Sequence, residues 1–141
     1  MLKSIKVRDY MTRHLLTFRP ETDLYEAIGR LLEHRVSGAP VVDGHGRLVG
    51  ILSTDDCLRH VVSDAYYESS GGSVGGLMTA EVETISPEAD ILDACERMFH
   101  GNRRRLPVLD GQQLVGQISR HDVLKAVRAF AQHDRAKSTA G

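Results

Sequence analysis

Two stretches of the chain place apolar side chains on one face at the period of about 3.6 residues that is typical of an α-helix. In the first stretch these residues are Leu24, Ile28, Leu31 and Leu32, and in the second they are Ile91, Cys95, Met98 and Phe99. We expect both faces to lie in the core.

Short apolar runs of β-prone residues follow each predicted helix. Residues 40–42 and 48–52 are separated by Asp43-Gly44-His45-Gly46, and residues 107–109 and 114–118 are separated by a turn that opens with Asp110-Gly111. Glycine tolerates the positive φ of tight hairpin turns. Further helices are predicted from about Thr54 and Arg120. The pattern therefore predicts, twice over, a short strand, a helix, a hairpin and a final helix, which is an α+β fold.

The two halves of the chain are also alike residue by residue. Residues 7–61 align with residues 74–127 at a shift of 67 that becomes 66 after one deletion, and about 20 of some 54 aligned positions are identical. A serine- and glycine-rich stretch separates the copies. We predict a first repeat at 1–62, a linker at 63–73, a second repeat at 74–133 and a disordered tail at 134–141, all forming one module.

Composition and charge narrow the possible functions. The 141 residues include 18 Lys and Arg against 19 Asp and Glu, so a nucleic-acid partner is not expected. No apolar run has the length of a signal peptide or a membrane span, which predicts a cytoplasmic protein without membrane insertion. Cys57 and Cys95 fall in helical patterns as reduced thiols. The histidines lack ligand spacing, so no structural metal is predicted.

The segment Gly-x-x-Ser-x-x-Asp occurs in both copies, at residues 50–56 and 116–122. One interpretation is a capping box, in which the serine and the aspartate bind backbone amides at the start of a helix. The other is a nucleotide site, in which free amides bind phosphate and the aspartate accepts ribose hydroxyls. In the second copy Arg120 opposes the helix dipole, a conflict that a bound anion would relieve.

Three consecutive arginines, Arg103 to Arg105, lead into a strand of the second copy. Clustered guanidinium groups repel one another and suit bidentate phosphate binding, although a solvated loop after a helix is an equal alternative. The equivalent residues 36–40 of the first copy carry no charge. The duplicated fold is therefore expected to hold two chemically different pockets.

Signals for catalysis are weak. The sequence has neither a nucleophile elbow nor a P-loop, and Asp55 and Asp56 are adjacent, so their side chains would leave a helix about 100° apart. We predict that the chain is not an enzyme.

The repeats resemble cystathionine β-synthase (CBS) domains, and the whole chain resembles a tandem pair of them. The resemblance rests on Val7-x-Asp9-x-Met11-Thr12, on the strands at 39–43 and 106–110, and on both Gly-x-x-Ser-x-x-Asp segments. It implies two β-α-β-β-α repeats packed sheet to sheet in pseudo-twofold symmetry. The implied ligand is AMP, ADP, ATP or S-adenosylmethionine, with no other cofactor. Residues 74–77 lack the family's usual aspartate, which predicts a looser entry to the second repeat.

The resemblance also implies that each ligand site combines residues of both repeats. One site would join Ser53 and Asp56 to Thr84 and to a phosphate clamp of Arg104 and Arg105. The other site would contain Ser119, Asp122, Thr17, Val36 and Ser37. We expect a regulatory nucleotide sensor that acts on an unidentified partner protein and forms a homodimer through its helices. The alternative is a scaffold or dimerisation module with vestigial clefts.

Overall fold

The computed structural model describes residues 1–67 and 72–140 of the chain. A short 3-10 turn at Leu2–Ser4 precedes the first helix. The helices are α1 (Val7–Tyr10), α2 (Leu24–His34), α3 (Thr54–Tyr67), α4 (Val74–Leu77), α5 (Ile91–His100) and α6 (Arg120–Ala140). The strands are β1 (Gly38–Val42), β2 (Leu48–Ser53), β3 (Arg105–Asp110) and β4 (Gln113–Ser119).

Aspartates at equivalent positions of the repeat start helices α2 and α5. The Asp23 carboxylate accepts hydrogen bonds from the backbone amides of Tyr25 and Glu26, and Asp90 accepts one from the amide of Asp93. A side-chain oxygen at this position satisfies amides that have no partner within the helix. Helix α2 ends at His34, and the next residue, Arg35, has a left-handed φ of 55° that turns the chain towards β1.

Each repeat contributes a two-stranded sheet, β1–β2 and β3–β4. Strands β1 and β2 run antiparallel from the pair Gly38 and Ser53 to the pair Val42 and Leu48. The turn glycines Gly46 and Gly111 have φ values of 78° and 63°, as the predicted hairpins require. The strand predicted before each helix is reduced to single parallel bridges, Phe18 with Val41 and Ile85 with Val108. The α+β fold is confirmed.

The chain forms two compact units. The first-repeat unit contains Leu15–Val82 and Gln112–Leu114, and the second-repeat unit contains Met1–His14, Glu83–Gly111 and Val115–Gly141. The segment that opens each repeat in the sequence therefore belongs to the unit built mainly from the other repeat.

Backbone pairing explains this exchange. In the second-repeat unit Thr12 and Gln117 exchange amide hydrogen bonds of 2.8 and 2.9 Å, and in the first-repeat unit Thr79 and Ile51 exchange bonds of 2.8 and 2.9 Å. Each opening segment thus adds an edge to β4 or β2. The pairing needs a close approach, because a Cβ built on Gly50 would lie 2.8 Å from the Thr79 carbonyl oxygen.

Each unit has its own hydrophobic core. The core of the first-repeat unit contains Phe18, Leu24, Ala27, Leu31, Ala39, Val41, Leu52, Cys57 and Val74. The core of the second-repeat unit contains Val7, Met11, Ile85, Ile91, Ala94, Met98, Leu106, Val108, Ile118, Val123 and Ala126. Residues of the opening segments, such as Val7 and Val74, are fully buried in these cores.

The core prediction was wrong for two helical residues. Leu32 of α2 and Phe99 of α5 are 74% and 70% exposed, although they occupy the same predicted face as the buried Leu31 and Met98. In each helix one line of side chains fills the core, and the neighbouring residue of the predicted face is exposed to solvent. Helical periodicity shows which residues share a face but not how wide a part of it is covered.

The predicted linker and tail also differ from the structure. Helix α3 continues to Tyr67, while residues 68–71 of the predicted linker lie outside the described residues. Helix α6 continues to Ala140, because residues 129–138 are rich in the strong helix formers Ala, Gln, Arg and Lys. Gly141 also lies outside the described residues.

The entry to the second repeat is more regular than predicted. Residues Val74–Leu77 form α4, and the Ser73 hydroxyl accepts a hydrogen bond from the amide of Gly76 at 3.3 Å. The Gly75 amide donates to the Pro20 carbonyl at 2.8 Å, and a Cβ on Gly75 would lie 3.1 Å from that oxygen. Glycine is therefore favoured here by close packing rather than by looseness.

Candidate functional site

The first Gly-x-x-Ser-x-x-Asp segment spans the end of β2 and the start of α3. The Ser53 amide donates to Asp56 Oδ2 at 2.9 Å, and the Asp56 amide donates to Ser53 Oγ at 3.1 Å. The Asp56 residue is only 5% exposed. This reciprocal pair is the capping-box geometry that the sequence predicted as one of two interpretations.

The second copy of the segment has the same geometry at the junction of β4 and α6. The Ser119 amide donates to Asp122 Oδ2 at 2.9 Å, and the Asp122 amide donates to Ser119 Oγ at 3.1 Å. Asp122 is 6% exposed. Both repeats therefore keep a buried carboxylate in the first turn of a helix.

Amides at these helix starts already have partners inside the chain. The Thr54 amide donates to the Ser37 carbonyl at 2.9 Å, and the Arg120 amide donates to the Arg104 carbonyl at 3.0 Å. Together with the bonds to the serine hydroxyls, these contacts leave few amides to bind a phosphate. The expectation that free amides at these helix starts hold the phosphate is therefore not supported.

Asp56 has two further neighbours that the sequence did not indicate. Arg59 Nη2 lies 2.6 Å from Asp56 Oδ1, and the Thr79 hydroxyl lies 3.4 Å from the same oxygen. Thr79 reaches Asp56 because its segment pairs with Ile51 of β2. The only sign of this role in the sequence is that Met-Thr occurs at residues 11–12 and again at 78–79, since no local pattern explains why the pair is repeated.

The three arginines at positions 103–105 have different environments. Arg103 Nε donates to Glu83 Oε2 at 3.1 Å, whereas Arg104 is exposed and Arg105 is partly buried. Burial, followed by repulsion from Arg104, lowers the pKa of the Arg105 guanidinium below its ordinary value. A bound anion would offset both effects, so Arg104 and Arg105 remain suitable residues for phosphate.

Arg120 does not need an anion to offset the helix dipole. Its Nε donates to the Arg103 carbonyl at 2.9 Å, and its guanidinium carbon lies 5.4 Å from the centre of the Phe99 ring. These contacts hold the cation beside a carbonyl and an aromatic face. The conflict predicted from the sequence is thus relieved within the chain.

Thr84 lines a polar cavity of about 420 Å³ in the second-repeat unit, together with Ser86, Glu88, Arg97 and Asp110. Arg97 Nη1 donates to the Thr84 carbonyl at 3.1 Å, and its Nε donates to Asp93. The hydrogen bond from Lys6 has the largest effect on the Glu88 carboxyl and lowers its pKa below the ordinary value. The positive charge of Arg8 lowers the pKa further.

The predicted site residues divide evenly between the units. The first-repeat unit contains Thr17, Val36, Ser37, Ser53 and Asp56. The second-repeat unit contains Thr84, Arg104, Arg105, Ser119 and Asp122. Within a unit the structure brings Ser53 to Asp56 and Ser119 to Asp122. The joining of residues from different repeats into one ligand site stays a prediction.

Cys57 directly follows Asp56 in helix α3. Burial, and then the negative charge of Asp56, raise the pKa of the Cys57 thiol above its ordinary value, which makes it a poor nucleophile. Among residues 1–67 and 72–140, no group of three or more His, Cys, Asp and Glu side chains is arranged to hold a metal ion. No helix in the described part of the chain combines the length and the hydropathy needed to cross a bilayer.

Comparison with known proteins gives concordant results. A crystal structure of CBSX2 in complex with AMP is 30% identical to this chain, with a TM-score of 0.80, and the match covers 90% of this chain and 98% of that one. CBSX2 is a CBS-pair protein from Arabidopsis thaliana. The chloroplastic CBS domain-containing protein CBSX1 of the same plant is 29% identical over 85% of this chain and 63% of its own length.

An archaeal relative is longer than this chain. The uncharacterized protein MJ1232 of Methanocaldococcus jannaschii is 32% identical over 89% of this chain, but the match spans only 40% of the archaeal protein. The CBS domain family model matches twice, at residues 7–63 and 74–129. These matches take in most of the sequence and both Gly-x-x-Ser-x-x-Asp segments, and the chain therefore belongs to the CBS domain family as a tandem pair of repeats.

Proposed function

We propose that this chain is a non-catalytic regulatory module that binds an adenine nucleotide, with AMP, ADP, ATP and S-adenosylmethionine as the candidate ligands. The observation that carries the proposal is the pair of buried carboxylates, Asp56 and Asp122, which are 5% and 6% exposed at equivalent helix starts. The AMP complex of CBSX2, at 30% identity, supports adenosine as the shared part of the ligand.

The carboxylates are the proposed acceptors for the ribose hydroxyls. Oδ2 of each aspartate receives one backbone amide. An ionised carboxylate offers about four lone-pair positions, so each aspartate retains capacity for further donors. A ribose presents two adjacent hydroxyl donors, which match that capacity. Ser53 and Ser119 hold the carboxylates in place through the capping bonds.

Arg104 and Arg105 are the proposed phosphate ligands of the site that contains Asp56, with Thr84 beside the nucleoside. Burial and the charge of Arg104 lower the pKa of the Arg105 guanidinium, and a bound phosphate would favour the charged form of both arginines. The other proposed site contains Asp122 with Thr17, Val36 and Ser37. These residues carry no positive charge, although Arg120 borders the site, so that site should bind phosphate less strongly than the site that contains Asp56.

A scaffold without ligand is the second candidate. It is favoured by the completed capping boxes, which give both aspartates a structural role in the absence of any nucleotide. The two candidates differ in their response to ligand, because only a protein that binds the nucleotide in its native state is stabilised by it.

A thermal-shift series separates these candidates. We expect AMP, ADP, ATP or S-adenosylmethionine to raise the melting temperature in a dose-dependent manner, with guanosine monophosphate as the matched control. If none of the adenosine compounds raises it more than the guanine nucleotide does, the scaffold is the better account.

We further propose that the module forms a homodimer through its exposed apolar helical faces. In the second-repeat unit Phe99 and Leu124 are 70% and 65% exposed beside a groove of about 200 Å³ between α5 and α6. The equivalent residues of the first-repeat unit, Leu32 and Leu58, are 74% and 62% exposed. Apolar side chains that recur at the same positions of both repeats are typical of an interaction surface.

Light scattering at micromolar concentration should give twice the chain mass of 15.6 kDa. Leu124→Lys should shift the mass towards the monomer because it places a charge in the apolar surface, whereas the neighbouring control Lys125→Ala should leave it unchanged. A monomeric wild-type protein would contradict the dimer. The regulated partner protein and the cytoplasmic location stay predictions.

A further inference from the structure

The carboxylate of Asp56 is already occupied by a cation from its own helix. Arg59 Nη2 donates to Asp56 Oδ1 at 2.6 Å, which is shorter than the contact of 3.4 Å from the Thr79 hydroxyl to the same oxygen. Oδ2 receives the Ser53 amide at 2.9 Å. Both oxygens of this buried carboxylate therefore have donors in the free chain, and the strongest of them is charged.

Of these three donors, Arg59 is the one that can leave at low cost. The Ser53 amide is fixed by the backbone, and Thr79 is fixed by its pairing with Ile51. The Arg59 side chain is 71% exposed, and it reaches the carboxylate from the next turn of α3. An ion pair with one exposed partner is worth little net free energy, since water solvates the released cation.

The equivalent carboxylate in the second repeat has a different environment. Lys125 occupies the position of Arg59 and is exposed. Within the described residues, the Asp122 carboxylate accepts a hydrogen bond from the Ser119 amide at 2.9 Å and forms no ion pair. The duplicated helices thus present one carboxylate that is paired with a cation and one that is not.

We infer that Arg59 competes with the ribose hydroxyls for Asp56 Oδ1, so that ligand binding at Asp56 releases the Arg59 guanidinium to solvent. This inference rests on the proposed function and specifies how one of its two sites is controlled. Arg59 lowers the affinity of the Asp56 site for an adenosine that carries both ribose hydroxyls, whereas Lys125 has no such effect at the Asp122 site.

Adenosine is the appropriate probe because it has no phosphate. The loss of the Arg59 cation therefore cannot weaken its binding by removing a contact to phosphate. Calorimetric titrations are made in two backgrounds, Asp122→Asn to isolate the Asp56 site and Asp56→Asn to isolate the Asp122 site. In the first background Arg59→Ala should bind adenosine about two- to five-fold more tightly, which is the range expected for an ion pair whose cation is largely exposed to water. In the second background Lys125→Ala should leave the affinity unchanged.

Two further readouts identify competition as the cause. 2′,3′-Dideoxyadenosine lacks the hydroxyls that would bind Asp56, so Arg59→Ala should not improve its binding. Salt screens the ion pair between Arg59 and Asp56, so the protein that retains Arg59 should bind neutral adenosine more tightly as salt rises. The Arg59→Ala protein should show no such salt dependence.

The failures are distinguishable. If Arg59→Ala binds adenosine equally well or more weakly, or binds the dideoxy compound with the same gain, Arg59 is not a competitor and the inference is overturned while the proposed function stands. If none of adenosine, AMP, ADP, ATP and S-adenosylmethionine binds the wild-type chain or any variant, the proposed function fails and the inference fails with it.

Discussion

Gly50→Ala should destabilise the protein by about 1–3 kcal/mol, the usual cost of forcing extra volume into a packed site. The added Cβ would lie 2.7 Å from Met78 Sδ and 2.8 Å from the Thr79 carbonyl oxygen. The sulfur can move, but the carbonyl belongs to the segment that pairs with Ile51 of β2. The substitution should therefore push the Met78-Thr79 segment away from β2 and Thr79 away from Asp56.

Urea unfolding of Gly50→Ala and Gly116→Ala measures this effect. Gly116 is the equivalent residue, with a Cβ position 2.8 Å from Met11 Sδ and 2.9 Å from the Thr12 carbonyl oxygen, so it should be similarly sensitive. The matched control is Gly29→Ala in α2, where nothing lies within 4 Å of the new Cβ. That change should stabilise the protein by roughly 0.5–1 kcal/mol because alanine restricts the unfolded chain. Wild-type stability of Gly50→Ala would show that the close approach is not required.

The sequence predicted most of the local structure because the signals for it are local. The hairpin glycines and the reciprocal bonds of Ser53 with Asp56 depend on residues within a few positions of one another. The same is true of the helix-starting aspartates Asp23 and Asp90, which were not predicted as caps. The internal repeat made each of these predictions twice. Fold class and capping geometry could therefore be obtained without coordinates.

The features that the sequence did not predict depend on packing between distant segments. The neighbours of Asp56 include Thr79, which is 23 residues away and arrives through the exchanged opening segment. The glycine at positions 50 and 116 belongs to the repeated motif, but the close approach of the Met-Thr segment, which the sequence does not reveal, is what requires it. Arg59 was missed because an arginine in the middle of a helix has no distinguishing pattern.

Exposure on the helices was also beyond the reach of periodicity. Phe99 and Leu32 follow the helical period of the core residues, yet most of the surface of both side chains is exposed. Helical periodicity does not say how wide the buried part of a helix face is, so the exposure of these two residues could not be predicted from it. These residues now support the proposed homodimer rather than the core.

Asp56→Ala should reduce affinity for adenosine and for AMP alike, by about 1.5–3 kcal/mol, the range for a hydrogen bond to a charged group. Asp56→Ala also removes the carboxylate partner of the Arg59 guanidinium, and the ribose supplies no charged group to replace it. Arg104→Ala and Arg105→Ala should instead reduce the affinity for AMP far more than the affinity for adenosine, because their proposed partner is the phosphate. That second loss should shrink at high salt, which screens charged contacts in an open site.

The scaffold alternative predicts another pattern for the same variants. If Asp56 serves only as a helix cap, Asp56→Ala should lower the free energy of unfolding by about 1 kcal/mol without any ligand-specific effect. Asp56→Asn is the useful companion, since its amide oxygen can still accept from the Ser53 amide while its charge is lost. A loss of adenosine affinity in Asp56→Asn with little change in melting temperature would separate ligand binding from capping.

The most direct measurement is a calorimetric titration of adenosine and AMP into the Asp122→Asn protein and into the same protein carrying Asp56→Ala, Arg104→Ala or Arg105→Ala. The account predicts that Asp56→Ala reduces the affinity for both ligands, whereas each arginine substitution reduces the affinity for AMP selectively. Equal affinities of all four proteins for both ligands would contradict the assignment of ribose binding to Asp56 and of phosphate binding to Arg104 and Arg105.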